Sequence, residues 1–383
     1  MNLITTQASL ETFCNKLEDA GFITVDTEFI RERTYYPRLC LLQMAGDNDA
    51  ACIDPLAADL DLAPVFRLLE NPKILKVFHA GRQDIEIFYN LTGKVPAPVA
   101  DTQIMAMVCG FGESVSYENL ASKLVRAKID KSSRFTDWAA RPLSDKQLEY
   151  ALADVTHLRG IFMKLDMELA SKNRRHWIDE ELAFLTDESI YKLDVNDAWE
   201  RIRIKTDKPR VIARLQRLAA WREREAQQLN IPRGRVLKDE TLQEIAFHPP
   251  HDMAQLLRMR GLPSGFGESR FAPAILQVIA EAEALKDSQL PVIEHKKPVQ
   301  NDSLSATVEL LRVLLRLVVA EHGVAAKLIA VSDELEEIAS NDEADVPALK
   351  GWRYEIFGQQ ALELKHGRLA LTLKNRKVVA TAV

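Results

Sequence analysis

The feature that most constrains this chain is the apolar run at residues 21–29, which carries two acidic residues near its end. Residues two apart on a strand point to the same face, so a strand here would place Asp26 and Glu28 side by side. Two carboxylates on a buried strand repel each other and need compensation, for which a divalent cation is one natural solution. The run therefore predicts a strand that ends in a metal-binding site.

The first half of the chain combines strand and helix patterns. Strands are predicted at residues 22–29, 39–45 and 50–54, and turn residues at 46–49 indicate an antiparallel meander. A helix at 63–70, a strand at 74–78, a helix from about 83 to 91 and a short strand that residues 96–100 lead into are predicted next, with mostly helices afterwards. This order indicates an α/β fold, a mixed sheet with helices on its faces.

A second acidic position is Asp84, in the first turn of the helix that follows the strand predicted at 74–78. The helix dipole favours a carboxylate there. An Asp in a first helical turn is also common without any function. Asp84 becomes a candidate because the preceding strand could lie beside the strand that carries Asp26.

A third acidic position is Asp154, on a long helix predicted to start at Ser144, where Ser144 and Gln147 have the spacing of a capping box. Tyr150 and Asp154 are four residues apart and project from one helical face. The residues between them are apolar, so a buried carboxylate here needs a cation or a donor. An ordinary Arg or hydroxyl partner is the alternative.

Taken in order, Asp26-x-Glu28, Asp84 and Tyr150-x-x-x-Asp154 resemble the three exonuclease motifs of the DEDD superfamily, in its tyrosine-bearing branch. The resemblance to bacterial ribonuclease D covers residues 1–200 densely. The second motif reads Arg82-Gln83-Asp84, where relatives vary. The other residues that carry the resemblance are Phe29-Ile30-Arg31, Thr34-Tyr35-Tyr36-Pro37, Leu42-Gln43, His79-Ala80-Gly81, Asp101-Thr102-Gln103, Asp130-Lys131-Ser132, Thr136-Asp137-Trp138 and Arg141-Pro142-Leu143.

The resemblance implies a ribonuclease H-like exonuclease domain and a metal-dependent 3′–5′ exoribonuclease. Such an enzyme trims the 3′ ends of structured RNAs such as tRNA precursors and releases nucleoside 5′-monophosphates. Asp26, Glu28, Asp84 and Asp154 would bind two Mg²⁺ or Mn²⁺ ions, with Asp26 between them. Tyr150 would orient the attacking water, because a free phenol titrates near ~10 and is a poor base. The alternatives are a proofreading-type 3′–5′ DNA exonuclease and a non-catalytic nucleic-acid-binding adaptor.

The second half of the chain is predicted to be all-helical and to contain an internal repeat at an offset of 93 residues. Leu242, Glu244, Ile245 and Ala246 correspond to Leu335, Glu337, Ile338 and Ala339, and Asp252 and Leu256 correspond to Asp345 and Leu349. The first copy contains Leu218-Ala219-Ala220-Trp221-Arg222 and Asn230-Ile231-Pro232, and on these residues it resembles the helicase-and-ribonuclease-D C-terminal (HRDC) domain, an auxiliary nucleic-acid-binding module in this family. The expected domains are therefore 1–200, 207–287 and a divergent second copy at 303–383, with a linker between 287 and 303.

Charge is distributed unevenly along the chain, whose formal net charge is −6. Residues 201–238 hold 12 Lys or Arg and three acids, whereas 333–345 hold seven acids and no Lys or Arg. The basic stretch is either an RNA-binding surface or a solvated helix face. If it binds RNA, the best candidates flank the helix around Trp221, namely Arg222, Arg224, Arg233 and Arg235.

Composition places the chain among globular proteins, with 47% hydrophobic and 28% charged residues. The start lacks a basic segment followed by a long apolar one, so no signal peptide is predicted. Arg312 and Arg316 interrupt the most apolar stretch, which argues against a membrane partner. The four cysteines are scattered, which fits a reducing, cytoplasmic location rather than a disulfide framework or zinc site.

Overall fold

The structure, a computed structural model, describes residues 3–133, 136–292 and 302–383. Within this part of the chain the N-terminal half is built on one mixed sheet. Its strands are β1 (Leu3–Ile4), β2 (Phe22–Ile30), β3 (Arg38–Ala45), β4 (Ala50–Ile53), β5 (Leu75–Phe78) and β6 (Val99–Asp101). The strand order is β1-β4-β3-β2-β5-β6, with β2–β3 and β3–β4 antiparallel and the other pairs parallel. The predicted meander is confirmed, and β5 lies beside β2 as the interpretation of Asp84 requires.

Helices cover both faces of the sheet, as predicted for an α/β fold. They are α1 (Gln7–Leu17), α2 (Ala63–Glu70), α3 (Arg82–Thr92), α4 (Thr102–Val108), α5 (Tyr117–Leu120), α6 (Asp145–Ser171) and α7 (Asp179–Thr186). Apolar side chains of α1, α2 and α3 share a core with one face of β2 and β3. The long helix α6 crosses the other face, where Thr24 Oγ1 donates a hydrogen bond of 2.8 Å to the carbonyl of Val155.

The C-terminal half forms two helical units. The first unit comprises α8 (Pro209–Leu229), α9 (Arg233–Val236), α10 (Asp239–Phe247), α11 (Met253–Leu257) and α12 (Phe271–Glu283). The second unit comprises α13 (Asp302–His322), α14 (Ala326–Ile329), α15 (Ser332–Ser340), α16 (Gly351–Arg353), α17 (Gln359–Lys365), β7 (Leu369–Lys374) and β8 (Lys377–Ala382). An offset of 93 residues carries the bounds of α8, α9 and α10 onto those of α13, α14 and α15. The sequence repeat is therefore also a repeat of structure over these three helices.

The two helical units contact the N-terminal half differently. The second unit shares one apolar core with α4, α6 and the segment after α6. Within it the rings of Trp177 and Trp352 stack at 4.4 Å between centroids, and the backbone N–H of Ala325 donates to the carbonyl of Met107 at 2.9 Å. The first unit has a core of its own. It joins the N-terminal half through polar contacts, described below.

Some predictions made from the sequence are wrong or incomplete. β1 and α1 were not predicted, and the second unit is not all-helical, because β7 and β8 pair as an antiparallel hairpin at its end. Part of the predicted linker, residues 293–301, lies outside the described residues, and Asp287–Gln289 forms a 3₁₀ turn. Among the described residues, no helix has the length and apolarity needed to cross a membrane.

Candidate active site

The end of β2 directs two carboxylates toward α6. Alternation along the strand sends Ile23 and Val25 into the core with α1–α3, and puts Thr24 on the face that contacts α6. Asp26 and Glu28 share the face of Thr24. The strand therefore delivers both carboxylates to the side of the sheet where α6 carries Tyr150 and Asp154.

The turn between β5 and α3 places Asp84 beside the end of β2. Asp84 is only 8% exposed, and the hydroxyl of Thr27 donates a hydrogen bond to its carboxylate. Thr27 stands between the two acids of β2 but points to the opposite face. The first and second motifs are thus linked by a direct side-chain contact.

Asp101, at the end of β6, fixes the turn that precedes Asp84. Its carboxylate accepts the backbone N–H of Ala80 at 3.0 Å and that of Gly81 at 2.9 Å. A Cβ at Gly81 would lie 2.4 Å from the Cβ of Phe78, so only glycine fits there without displacement. These contacts give a structural reason for two of the family-like segments that sequence analysis left without a role.

Helix α6 begins at the predicted capping box and carries the third motif. Ser144 and Gln147 cap each other as predicted. One turn later the hydroxyl of Tyr150 hydrogen-bonds the Asp154 carboxylate. Tyr117 donates its own hydroxyl to the backbone carbonyl of Asp154 at 2.6 Å, which holds this turn of α6 from the side of the site.

The four carboxylates and Tyr150 line one cavity of about 490 Å³. Other residues of its wall were not assigned a role from the sequence, namely His79, Gln103, Tyr117 and Glu118. His79 and Gln103 belong to the family-like segments, which was a usable signal. Tyr117 and Glu118 stand in a region for which sequence analysis named no motif, and only the fold brings them to the site.

Electrostatics in the cavity disfavour a fully charged set of acids. Burial, followed by the charge of Asp154, raises the pKa of Asp26 well above its ordinary value. Burial and then the charge of Asp26 do the same for the pKa of Asp84. The pKa of Tyr150 is also raised, first by burial and then by Asp154 and Glu28, so this phenol keeps its proton at neutral pH.

The carboxylates are not yet gathered around a point. Among the described residues, no group of three or more His, Cys, Asp or Glu side chains is placed to hold a metal ion as it stands. Two of the acids form hydrogen bonds with protein hydroxyls, Asp84 with that of Thr27 and Asp154 with that of Tyr150.

The four arginines predicted to bind RNA fall into two pairs. Arg222 is buried, and its guanidinium donates to Asp239 at 2.6 Å and to the carbonyl of Leu237 at 2.9 Å. This position corrects the prediction for Arg222, because a buried guanidinium with protein partners cannot reach a phosphate. Arg233 binds the buried carboxylate of Glu223 at 2.6 and 2.7 Å.

Arg224 and Arg235 are exposed, as a surface role requires. The charge count over 201–238 nevertheless overstates the local field. Arg210, Arg214 and Arg217 pair with acids beyond that stretch, at Asp287, Glu283 and Glu281 respectively. Much of the basic stretch is therefore compensated inside the first helical unit.

Comparison with known proteins identifies the family to which the chain belongs. The 3′–5′ exonuclease family model matches residues 1–170, and the HRDC domain model matches residues 212–279. Ribonuclease D of Nitrobacter hamburgensis is 48% identical over 379 residues, which cover 99% of each chain. Ribonuclease D of Bartonella henselae is 46% identical and covers 99% of this chain and 93% of that one.

A solved structure has the same overall arrangement. The crystal structure of Escherichia coli RNase D, described as an exoribonuclease involved in structured RNA processing, superposes with a TM-score of 0.80 at 30% identity. The match covers 96% of this chain and 99% of that one. The catalytic core of RRP6 from Trypanosoma brucei, with a TM-score of 0.56 at 20% identity over 74% of this chain and 80% of that one, shows a related fold.

Proposed function

This chain is a 3′–5′ exoribonuclease of the ribonuclease D family, and from that premise we propose that it trims the 3′ ends of structured RNAs such as tRNA precursors, releasing nucleoside 5′-monophosphates. The observation that carries the proposal is the convergence of four carboxylates on one cavity. They come from β2, α3 and α6, three elements far apart in sequence.

The residues of the cavity fit divalent cations. The acidic groups supply only oxygen donors, the type that Mg²⁺ and Mn²⁺ favour. Burial, followed by the charge of a neighbouring acid, raises the pKa values of Asp26 and Asp84, and a bound cation would favour the charged form of both groups. We propose two ions, held by Asp26, Glu28, Asp84 and Asp154, with Asp26 shared between them.

Bound ions would lower the pKa of an attacking water and stabilise the charge on the phosphate and the leaving 3′ oxygen. The residues of the chain would position the ions and the attacking water. Glu28 and Asp154 would hold the ion on the side of the attacking water, and Asp84 the other ion. Tyr150 cannot serve as a base while its pKa is raised, so its hydroxyl is assigned to orienting the water.

The wall of the cavity fixes this machinery. Tyr117 anchors the backbone at Asp154, and Asp101 anchors the turn before Asp84. Positions set by packed backbone are more accurate than positions set by flexible loops. The acids of α3 and α6 therefore lie at defined places.

The helical units are assigned as HRDC domains at 207–287 and 303–383, the second divergent. The offset of 93 residues, which maps three helices of one unit onto three of the other, supports this assignment. Because the second unit is packed against the exonuclease half, the surface left for RNA belongs mainly to the first unit. A cytoplasmic location is part of the proposal, supported by four cysteines that are all buried thiols.

A direct test is Mg²⁺-dependent release of mononucleotides from 5′-labelled RNA with a 3′ overhang, compared with matched DNA. We expect stepwise shortening of the RNA and loss of activity with a chelator. Preferential digestion of DNA would favour a proofreading type of nuclease. Binding without hydrolysis at any Mg²⁺ or Mn²⁺ concentration would favour an adaptor.

A further inference from the structure

A second cavity, of about 610 Å³, lies between the exonuclease half and the first helical unit. We call it the interdomain cleft. Its walls come from the start of α3, the loop after β2, the segment after α7 and the first helical unit. The lining residues are Arg31, Tyr35, Tyr36, Arg82, Gln83, Glu86, Tyr89, Asn90, Ile190, Tyr191, Lys192, Leu193, Arg201, Gln227 and Arg233.

The interdomain cleft adjoins the acidic cavity. Gln83 lines both, and it stands immediately before Asp84. Arg82 lines the cleft one residue earlier. A strand whose 3′ end occupies the acidic cavity would therefore continue past Gln83 and Arg82 into the cleft.

The lining of the cleft is strongly basic, with five cations against one acid, Glu86. Arg31 pairs with that acid at 3.3 Å, and Arg233 is held by Glu223. Arg82, Lys192 and Arg201 are exposed and form no ion pair with another described residue. The guanidinium of Arg82 lies over the ring of Phe184, at 5.8 Å from its centroid. Three exposed cations in one concave surface suit a polyanion, because low-dielectric walls concentrate their field.

Aromatic rings stand among these cations. Tyr35 and Tyr36 meet edge to face at 4.8 Å, and Tyr36 is 38% exposed. Arg233 covers the ring of Tyr35 at 5.0 Å, which leaves Tyr36 as the ring available to a ligand. Cations interleaved with exposed rings are the features by which proteins hold single-stranded nucleic acid, through phosphate contacts and base stacking.

The walls of the cleft are fixed relative to each other by a polar joint. The hydroxyl of Tyr35 donates to the buried carboxylate of Glu223, and Asn230 Oδ1 accepts the backbone N–H groups of Tyr35 and Tyr36, each at 3.1 Å. The loop after the catalytic strand is thereby fastened to the first helical unit. The cleft is a preformed space rather than an accidental gap between loosely tethered domains.

We propose that the interdomain cleft binds the single-stranded RNA immediately upstream of the 3′ end that lies in the acidic cavity. Arg82, Lys192 and Arg201 contact its phosphates, and Tyr36 stacks on a base. This inference rests on the proposed function and adds the path of the substrate to it. It also gives the first helical unit a specific task, since Arg201, which directly precedes Ile202 of that unit's core, forms part of one wall.

The test uses the full-length chain with K192Q/R201Q, which removes two exposed charges. Binding to RNA hairpins with graded 3′ single-stranded tails is measured in an Asp26→Asn background, so that the RNA is not consumed. The slope of log affinity against log salt should become shallower by about 0.7 for each phosphate that is no longer neutralised, and affinity for long tails should fall about tenfold. The matched control is R67Q/K73Q, which removes two exposed cations outside the cleft.

Hydrolysis in the Asp26-containing protein gives the second measurement. The defect of K192Q/R201Q should grow with tail length and be smallest on a dinucleotide, which fills only the acidic cavity. Affinity and salt slope equal to those of R67Q/K73Q would overturn the proposal, and so would an equal defect on every length. Failure of the wild-type chain to hydrolyse even the dinucleotide would instead count against the proposed function.

Discussion

Asp101 and Gly81 are joined by a hydrogen bond of 2.9 Å, in which the backbone N–H of the last residue before α3 donates to the carboxylate at the end of β6. Asp101 touches no reacting group, but through this contact it helps to fix the position of Asp84. It also connects two parallel neighbours, β5 and β6, at the edge where the site is built.

We therefore expect Asp101→Asn to lower activity although Asp101 is not assigned as a metal ligand. The amide keeps the size of the side chain but loses the charge that strengthens its bonds to Ala80 and Gly81. Supporting residues of this kind typically contribute about 10–100-fold to activity or metal affinity. Mn²⁺ titration and kcat/KM on labelled RNA measure the effect. Asp252→Asn, which removes a charge from an Asp that caps α11, is the matched control. Equal activity in both variants would contradict this role.

Replacing Asp26 with Asn should abolish nearly all hydrolysis while the fold is retained, and Asp154→Asn should do the same. Each change removes one oxygen ligand and its charge with little change in shape. Weaker binding of Mg²⁺ or Mn²⁺ should accompany the loss, as measured by calorimetry. Activity of Asp26→Asn within about tenfold of wild type would exclude a two-metal role for this carboxylate.

The same substitution should stabilise the metal-free protein in a pH-dependent way. Because the pKa of Asp26 is raised in the folded state, the native protein binds this proton more tightly than the unfolded chain does. The stability that results is present at low pH and is lost as the pH rises through the raised pKa. Asp26→Asn should thus raise Tm, in the presence of a chelator, more near about pH 8 than near about pH 5. A gain that does not depend on pH would show that the ionisation of Asp26 is not its cause.

Tyr150→Phe should lower the rate by about 10²-fold, as expected for a positioned polar group, and leave metal binding almost unchanged. The ring would keep its packing near Trp138, at 6.2 Å between centroids, and lose only the hydroxyl that contacts Asp154. Because the pKa of Tyr150 is raised, its ionisation should produce no limb in the pH–rate profile at neutral pH. Tyr354→Phe in the second helical unit controls for the loss of a hydroxyl. A wild-type rate would leave Tyr150 with a packing role only.

The arginines of the first helical unit should separate into structural and RNA-binding groups. Arg222→Ala removes a buried guanidinium with two protein acceptors and should cost about 1–3 kcal/mol of stability. R224A/R235A removes exposed charges and should weaken RNA binding with a shallower salt slope, at unchanged Tm. Thermal melts and salt-dependent binding measure the two effects. If R224A/R235A binds as the wild type does, these two side chains are a solvated face.

Much of the site followed from local patterns that the fold does not override. Alternation along β2 gave the side-by-side carboxylates, and the Ser144–Gln147 cap gave the start of α6 that sets the direction of Tyr150 and Asp154. The offset of 93 residues gave the repeat, because it depends on apolar spacing within helices. Each of these features is determined by residues that are close together in the sequence.

What sequence analysis missed depends on distant partners. Arg222 looks like any exposed helical arginine until Leu237 and Asp239 are placed over it by the next helices. The two residues of β1 are too few to form a pattern and gain their place from pairing with β4. The terminal hairpin is joined by the two residues Asn375 and Arg376, both with positive φ, and this pair lacks the glycine that usually marks such a turn in a sequence.

A chain that ends at residue 292 would expose the face of Trp177 that Trp352 covers, together with the other apolar surface that the exonuclease half shares with the second helical unit. One of the apolar cores of the exonuclease half would then be incomplete, so we expect such a chain to be less stable than the full chain. Trp352→Ala in the full chain, which removes the stack on Trp177, should cost about 3–5 kcal/mol. Chemical denaturation measures this cost, and a change below about 1 kcal/mol would show that the shared core is not needed for stability.

The division of the apolar cores has a consequence for how the molecule comes apart. The exonuclease half shares one of its apolar cores with the last helical unit, so these two parts should lose their structure in a single cooperative step. The first helical unit keeps its own core and is fastened by the polar joint at Tyr35 and Glu223. Segments that open separately are those held by few apolar contacts. On heating, the first helical unit should therefore unfold independently of the exonuclease half before it and the last helical unit after it. The order in which the units unfold would then differ from their order along the chain.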